Sequence, residues 1–195
     1  MASYEGIVAV GETLLQLLKE ARGASSDPVV SAVSCELFAR PVPTARPLLT
    51  LHLHRVTPGV RGPQPDRPGP PGTVLRPVAN VELHYLLAAW AATASDQHVL
   101  LGWAVQTLAT SYQLPAALLN RHRATPVFFE DESVEVVPDT LAIQDLGSIW
   151  EVSKPDIQVA AAYRARSVTF HAPFPAAAAA PVQTRRFEAG ASGGR

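Results

Sequence analysis

The chain has 195 residues, 47% of them hydrophobic, and a formal net charge of −1. This length can bury the core of one domain, and the near-neutral charge gives no general attraction to nucleic acid or to an anionic membrane. The single cysteine, Cys35, excludes an internal disulfide and fits a reducing compartment. No apolar run reaches the roughly 18 to 20 residues that span a bilayer, so we expect no membrane segment. Because Glu5 and Glu12 interrupt the apolar N-terminus, we expect no cleaved signal peptide.

The first part of the chain predicts a helix followed by two strands. Residues 3–21 carry apolar side chains at helical spacing and predict an amphipathic helix. Residues 29–40 are apolar and tolerate the β conformation, so they predict a strand. Residues 48–56 (LLTLHLHRV) alternate between apolar and polar side chains and predict a half-buried strand. One face of that strand would carry Leu49, Leu51 and Leu53.

Residues 57–80 are the most irregular stretch, with repeated proline and glycine that disfavour a helix or a central strand. A loop of this length inside a compact domain is unusual and is typically functional or disordered. We interpret it as a mobile, solvated excursion between two neighbouring strands. Its polyproline character could instead serve a groove on a partner.

Residues 81–108 are the most informative stretch of the chain. Residues 81–90 alternate in the two-residue period of a strand and are apolar enough to be buried. Ser95 follows a short polar break and predicts the N-cap of an amphipathic helix over residues 96–112, which Pro115 ends. The apolar stripe of that helix would consist of Val99, Leu100, Trp103, Ala104, Leu108 and Tyr112.

The remaining third predicts two strands around a short helix. Residues 114–129 are punctuated by proline and predict a loop, and residues 132–137 predict a short strand. Residues 143–150 predict a helix that buries Leu146, Ile149 and Trp150, and residues 157–170 predict a long last strand.

The predicted order of elements is α, β, β, β, α, β, α, β. This order predicts an α+β fold of two layers, with a mixed or antiparallel sheet and the helices packed on one face. Residues 1–171 would form this domain. Residues 172–195 consist largely of alanine, proline and glycine and would be a flexible tail.

Candidate catalytic and metal-binding groups lack the neighbours that their chemistry needs. His52 and His54, two apart on a strand, could bind a metal, but no cysteine or carboxylate lies near them in sequence, which favours exposed strand histidines. Cys35 and a distant histidine could form a nucleophile pair, although a lone buried thiol is commoner. His84 lies within a buried strand and is interpreted as a core or interface side chain that is hydrogen-bonded to a neighbour. The sequence therefore predicts a protein that is not an enzyme and that binds no cofactor or metal.

Four segments, in this order, resemble the tail-terminator, or cap, family of phage-tail-like contractile injection systems, and in particular the N-terminal domain of Pvc-type caps. The segments are YEGIVAVGETLLQLL, HYLL followed by AW and LLG, LAIQDLGSIW, and AYRAR. Together they span residues 4–170. The chain departs from the family pattern at Ala142, where a capping serine or threonine is expected.

The resemblance implies a tail-terminator-like fold and a hexameric ring that closes the inner tube and the sheath at the end distal to the baseplate. Its partners would be further copies of itself, the inner tube protein and the contractile sheath protein, with no nucleic acid and no direct membrane insertion. The particle would assemble in the cytoplasm, and release on lysis stays open. The alternative function is a non-enzymatic adaptor that recruits a membrane or effector partner through the proline-rich loop and the tail.

Open strand edges are natural docking surfaces, because an arm of a partner can add as an extra strand. We expect such an edge at residues 49–55 or at residues 157–170. The predicted contact residues are Leu49, Leu51, Leu53, Arg55, Tyr163, Arg164 and Arg166. Ordinary surface charge explains Arg164 and Arg166 equally well.

Overall fold

The computed structural model describes residues 4–37, 46–60, 64–153 and 158–176. Its helices are α1 (Gly6–Arg22), α2 (Pro28–Ser31), α3 (Ala94–Ala109), α4 (Ala116–Leu119) and α5 (Ile143–Ser153). Its strands are β1 (Ser34–Leu37), β2 (Leu48–Pro58), β3 (Arg67–Pro68), β4 (Thr73–Trp90), β5 (Gln113–Pro115), β6 (Ser133–Pro138) and β7 (Ala160–Pro175). The predicted order of helices and strands is recovered once α2, β3, β5 and α4, each of four residues or fewer, are set aside.

All seven strands form one sheet in the order β1-β2-β4-β7-β6-β5, with β3 also paired to β4. Among the strands of the described residues, only β1 and β2 pair in parallel. The centre of the sheet is the long antiparallel pair of β4 and β7, whose register runs from Thr73 opposite Pro175 to Ala88 opposite Ala160. The predicted α+β fold with a mixed, mostly antiparallel sheet is therefore confirmed.

The alternation in β4 builds a core on each face of the sheet. Leu83, Tyr85 and Leu87 point into the larger core, which α1 and α3 cover. Leu86, Ala88 and Trp90 point the other way, into a smaller core that α5 closes. The Trp90 and Trp150 rings meet edge to face there, 6.0 Å apart between centroids. Helix α5 thus departs from the predicted packing of all helices on one face, because β4 is apolar on both sides over residues 85–90.

The strand predicted at residues 29–40 is wrong at its start. Residues 28–31 form the one-turn helix α2, because the Asp27 carboxylate accepts hydrogen bonds from the Val29 and Val30 amides at 2.8 and 3.2 Å. Pro28 occupies the first helical position, which needs no amide donor. The strand itself is β1, and residues 38–40 lie outside the described residues.

Helix α3 begins and ends earlier than predicted. Its N-cap is Thr93, whose hydroxyl accepts a hydrogen bond from the Asp96 amide, and not Ser95. The predicted apolar stripe is wrong for Val99 and Tyr112, which are 41% and 61% exposed. Composition could not distinguish the two sides, because the helix carries no charge after Asp96. The buried residues of α3 are Leu100, Ala104 and Leu108.

The loop predicted over residues 57–80 is wrong at both ends. Strand β2 continues to Pro58, and residues 73–80 are the first part of β4, paired with β7. The alternation of hydrogen bonds between β4 and β7 explains why a proline fits in this strand. The Ala176 amide donates to the Gly72 carbonyl, so these two residues form a hydrogen-bonded pair, and every second pair of opposite residues along the two strands is hydrogen-bonded as well. Pro77 falls between those positions, so its missing amide leaves the ladder with β7 intact.

The middle of this segment contacts other parts of the structure. Arg67 makes two hydrogen bonds with the Asp131 carboxylate, at 2.6 and 2.9 Å, and its guanidinium lies 4.5 Å from the centroid of the Phe129 ring. Asp66 accepts from Arg76 in the same two-pronged manner. The chain then turns through Gly72, whose φ of 78° suits glycine. Residues 64–72 therefore contact other parts of the sheet as well as solvent, their mobility stays a prediction, and residues 61–63 lie outside the described residues.

Two further boundaries differ. The loop predicted at residues 114–129 contains the short elements β5 and α4, and the Asn120 side chain closes the following turn by accepting from the Val127 and Phe128 amides. Strand β7 runs from Ala160 past the predicted domain boundary to Pro175. Residues 154–157 and 177–195, which hold the predicted start of that strand and most of the predicted tail, lie outside the described residues.

Candidate partner interface

The predicted contact residues divide between the two faces of the sheet. Leu49, Leu51 and Tyr163 are 0%, 1% and 5% exposed and belong to the larger core, against which the half-buried Leu53 packs. Burial also raises the pKa of the Tyr163 hydroxyl. The predicted use of these buried side chains as contacts conflicts with their place in the core. Only Arg55, Arg164 and Arg166 offer polar groups near the surface.

Arg55 and Arg164 flank His84 in one row across three strands. His84 is 4% exposed, with Nδ1 2.8 Å from Asp139 Oδ2 and Nε2 2.9 Å from Thr57 Oγ1. A proton on Nδ1 lets His84 donate to Asp139 and accept from the Thr57 hydroxyl, which satisfies both ring nitrogens. The prediction that His84 is buried and hydrogen-bonded is therefore confirmed.

Ion pairs extend this row to the neighbouring strands. Arg164 donates from Nη1 to Glu82 Oε2 at 3.2 Å, and its Nε lies 3.9 Å from Asp139 Oδ1. Burial acts to raise the pKa of Asp139, but the His84 hydrogen bond and the Arg164 charge outweigh it and hold that pKa below its ordinary value of 3.8. Arg166 stands next along β7, with Nη1 3.7 Å from Glu135 Oε2. The result is a charged network on the face that α5 leaves uncovered.

The order hydroxyl, imidazole, carboxylate is also that of a hydrolytic triad. Here the three side chains come from β2, from its neighbour β4 and from the residue that follows β6. In addition, Arg55 Nη2 lies 3.4 Å from His84 Nδ1, the nitrogen that faces Asp139. A buried histidine in a sheet needs partners for both nitrogens, and Thr57 and Asp139 supply them. The two hydrogen bonds thus link side chains from three segments of the sheet. Sequence reasoning missed Thr57 and Asp139 because they lie 27 and 55 residues from His84.

The other candidate side chains stand apart from this network or lie at its margin. His52 and His54 are half-buried, and burial lowers the pKa of each. Burial also raises the pKa of the Cys35 thiol, which lies in the larger core. Within the described ranges, no group of three or more histidine, cysteine or acidic side chains is placed to hold a metal ion.

The predicted open edge at residues 49–55 is wrong for Leu49 and Leu51, because β1 pairs with β2 there. An edge is open at the start of β7. Strand β6 reaches only Tyr163, and the last bond on that side runs from the Asp139 amide to the Ala162 carbonyl. Because alternate residues face the same way, the amide and carbonyl of Ala160 also point away from β4. No strand among the described residues pairs with them.

This start edge, residues 158–162 on the side away from β4, adjoins a cavity of about 360 Å³. The cavity lies between α3 and α5, and its lining includes Val105 and Leu146. Backbone hydrogen-bonding groups beside an apolar cavity are what an added strand uses for affinity and for specificity. The structure thus brings an open edge and a pocket together at one end of β7.

None of the helices in the described ranges combines the length and the apolar character that a bilayer crossing requires.

A family model described as the Pvc16 N-terminal domain matches residues 9–184 of the chain. The fold is similar to the PVC sheath/tube terminator of an extracellular contractile injection system in its extended state, with 14% identity over 92% of this chain and 61% of that one, at a TM-score of 0.55. It is also similar to the anti-feeding prophage cap, a tube-terminating cap, with 14% identity over 88% of this chain and 58% of that one, at a TM-score of 0.58. The chain therefore spans about three fifths of the length of both solved structures. Among curated proteins, no match was found.

Proposed function

Because the chain belongs to the family described as the Pvc16 N-terminal domain, we propose that it is a structural cap of a contractile injection system particle. It ends the growth of the inner tube and the sheath at the end distal to the baseplate. The observation that carries the proposal is the family match over residues 9–184, supported by a fold similar to those of two tube-terminating proteins.

The proposal has a physical rationale. Tube and sheath subunits stack through contacts that do not close on themselves, so nothing within the stack stops its growth. A cap must match the last layer on one side and offer no matching surface on the other. In this proposal the chain forms a homohexameric ring, contacts tube and sheath proteins, performs no catalysis, and assembles with the particle in the cytoplasm.

Particle length tests the proposal most directly. Deleting the gene should give tubes and sheaths of irregular length or unstable particles in electron micrographs, and the wild-type gene should restore uniform ones. The purified protein should form six-fold rings with a mass six times the 20.8 kDa of one subunit. Particles of unchanged length, or a monomer as the working form, would contradict the proposal.

We place sheath docking at the start edge of β7. Ala160→Pro removes the outward amide of that edge and leaves the ladder with β4 intact, since the residues that face β4 alternate with it. It should abolish sheath attachment to the cap without unfolding the protein. Ala160→Val keeps the amide and is the matched control. Attachment that survives Ala160→Pro, and also survives charge reversal at Arg164 and Arg166, would remove β7 from the interface.

The alternative of an adaptor that works through its proline-rich segment is not favoured. Residues 64–72 are held by Arg67 on Asp131 and by Asp66 on Arg76. An adaptor would have to release both pairs to present the segment. Replacing Pro68, Pro70 and Pro71 together by alanine keeps β4 in place and should leave particle length unchanged for a cap, whereas an adaptor should lose its partner.

A further inference from the structure

The far end of β7 has an unusual pattern of prolines. The hydrogen bond from the Ala176 amide to the Gly72 carbonyl, at 2.9 Å, shows which residues face β4. Counting back by twos, Ala172 and Phe174 also face β4, so Pro173 and Pro175 face away from it. Pro173 and Pro175 are exposed, and no strand in the described part of the chain pairs with their outer side. Both exposed positions that would offer an outward amide therefore offer none.

A second edge shows one outward proline. In the pair β5–β6, the Val136 amide donates to the Tyr112 carbonyl and the Ala116 amide donates to the Glu132 carbonyl. Pro115 lies between these bonded positions and faces outward, away from β6. Gln113, the other residue of β5 that faces outward, keeps its amide, so this edge carries proline at one of its two outward positions.

An outward-facing proline blocks an edge in a specific way. A strand that adds to a sheet needs amide donors as well as carbonyl acceptors along the edge. Proline provides the carbonyl without the amide, and its ring occupies the space that the incoming backbone would take. A proline that faces inward would break the existing ladder, whereas an outward one affects only an additional strand.

We propose that the end edge of β7, the outer side of residues 171–175, is a blocked surface that prevents any extended chain from adding to the sheet at that end of the strand. The two ends of one strand then differ, since Ala160 at the start edge has outward groups that pair with no strand among the described residues, whereas the end edge carries prolines. A bulge at Ser167, whose φ is 68°, divides β7 into two halves. Before the bulge, the amides and carbonyls of even-numbered residues point away from β4; after it, those of odd-numbered residues do. This inference rests on the proposed function, because a terminator needs one surface that cannot be extended.

The test restores the missing donors in the purified full-length chain. Pro173→Val with Pro175→Val returns two outward amides at exposed strand positions. Ala172→Val with Ala176→Val is the matched control, because it adds two valines to the same strand end at positions whose amides face β4. Sedimentation velocity over a range of concentrations measures self-association of each variant against the wild type, and circular dichroism confirms that each is folded.

We expect the proline variant to self-associate about tenfold to a hundredfold more tightly than the wild type, since each restored hydrogen bond contributes a modest net gain. The control should match the wild type. Unchanged association of a folded proline variant would overturn the proposal, as would equal association of variant and control, which would assign the effect to valine itself. If the double variant fails to fold, Pro175→Val alone at the strand terminus decides between the same outcomes. The assay needs no particle, so its result is independent of the particle-length experiment.

Discussion

Replacing His84 by leucine tests whether the charged face is a brace that stabilises the sheet. His84 is 4% exposed and bonds to Asp139 at 2.8 Å and to Thr57 at 2.9 Å. A hydrogen bond to a charged group contributes about 1.5–3 kcal/mol and one to a neutral group about 0.5–1.5 kcal/mol. Leucine would recover part of this loss beside Leu86, so the expected net loss is about 2–3 kcal/mol in the free energy of unfolding.

Thermal unfolding followed by circular dichroism measures the effect. For a chain of this size, 1 kcal/mol shifts Tm by about 2–4 °C, so the His84→Leu variant should melt roughly 5–10 °C below the wild type. The control is His98→Leu on the exposed side of α3, which should change the free energy of unfolding by less than about 0.5 kcal/mol. If the His84 variant melts within about 1 °C of the wild type, the network contributes nothing to stability. Its conformation would then need another explanation, such as binding or catalysis.

Three further predictions follow from burial and charge. Asp139→Asn should weaken the dependence of the free energy of unfolding on pH in the acid range. The lowered pKa of Asp139 contributes stability that is present above pH 3.8 and is lost as the pH falls through the pKa of the folded state. Urea unfolding between pH 2 and 7 checks this, and a variant curve parallel to that of the wild type would contradict it. Trp150→Ala should speed the hydrogen exchange of the α5 amides and leave that of the α1 amides unchanged, because α5 packs only on the smaller core. Equal α5 exchange in the wild type and the variant would show that other contacts hold α5. Glu132→Gln should raise the free energy of unfolding at pH 7, because Oε1 of Glu132 is buried without a hydrogen bond in the described part and burial raises the pKa of this carboxyl. The gain should shrink toward pH 4.5, where the wild-type carboxyl becomes neutral. A loss of stability at pH 7 would instead indicate an ion pair with His171, whose Nδ1 lies 3.9 Å from Oε1.

The spacing of apolar residues along the chain was sufficient to predict the helices and strands whose apolar faces pack on a core. The strand predicted over residues 81–90 is apolar on both faces from residue 85 to residue 90, and the structure buries both faces there. The helices around residues 3–21 and 143–150 were found for the same reason, since their apolar stripes contact a core. Prediction was wrong where a residue's role depends on where its amide points, as at Pro77, which sits in a strand because its amide is not needed there. The cap of α3 failed similarly, because Thr93 and Ser95 offer the same hydroxyl two residues apart.

The candidate site divides in the same way. Arg164 and Arg166 could be placed on a polar strand face from alternation alone, and His84 could be assigned a hydrogen bond because a buried imidazole requires one. The identity of its partners could not be predicted, since Thr57 reaches it through the pairing of β2 with β4, and Asp139 reaches it through the pairing of β4 with β7 and of β7 with β6. Leu49 and Leu51 satisfied the pattern of a contact strand, but the pattern cannot distinguish a face that meets α1 from one that meets a partner.

The amino-acid sequence by itself determined the family, the order of the main elements and the apolar faces that form the two cores, because these depend on spacing along the chain. Tertiary structure alone decided which edges are open. Whether an amide at Ala160 is available, or a proline at position 173 blocks an edge, depends on which neighbour each strand takes and on a one-residue bulge at Ser167. Such a bulge exchanges inward and outward positions for every residue beyond it, and no local periodicity records that exchange.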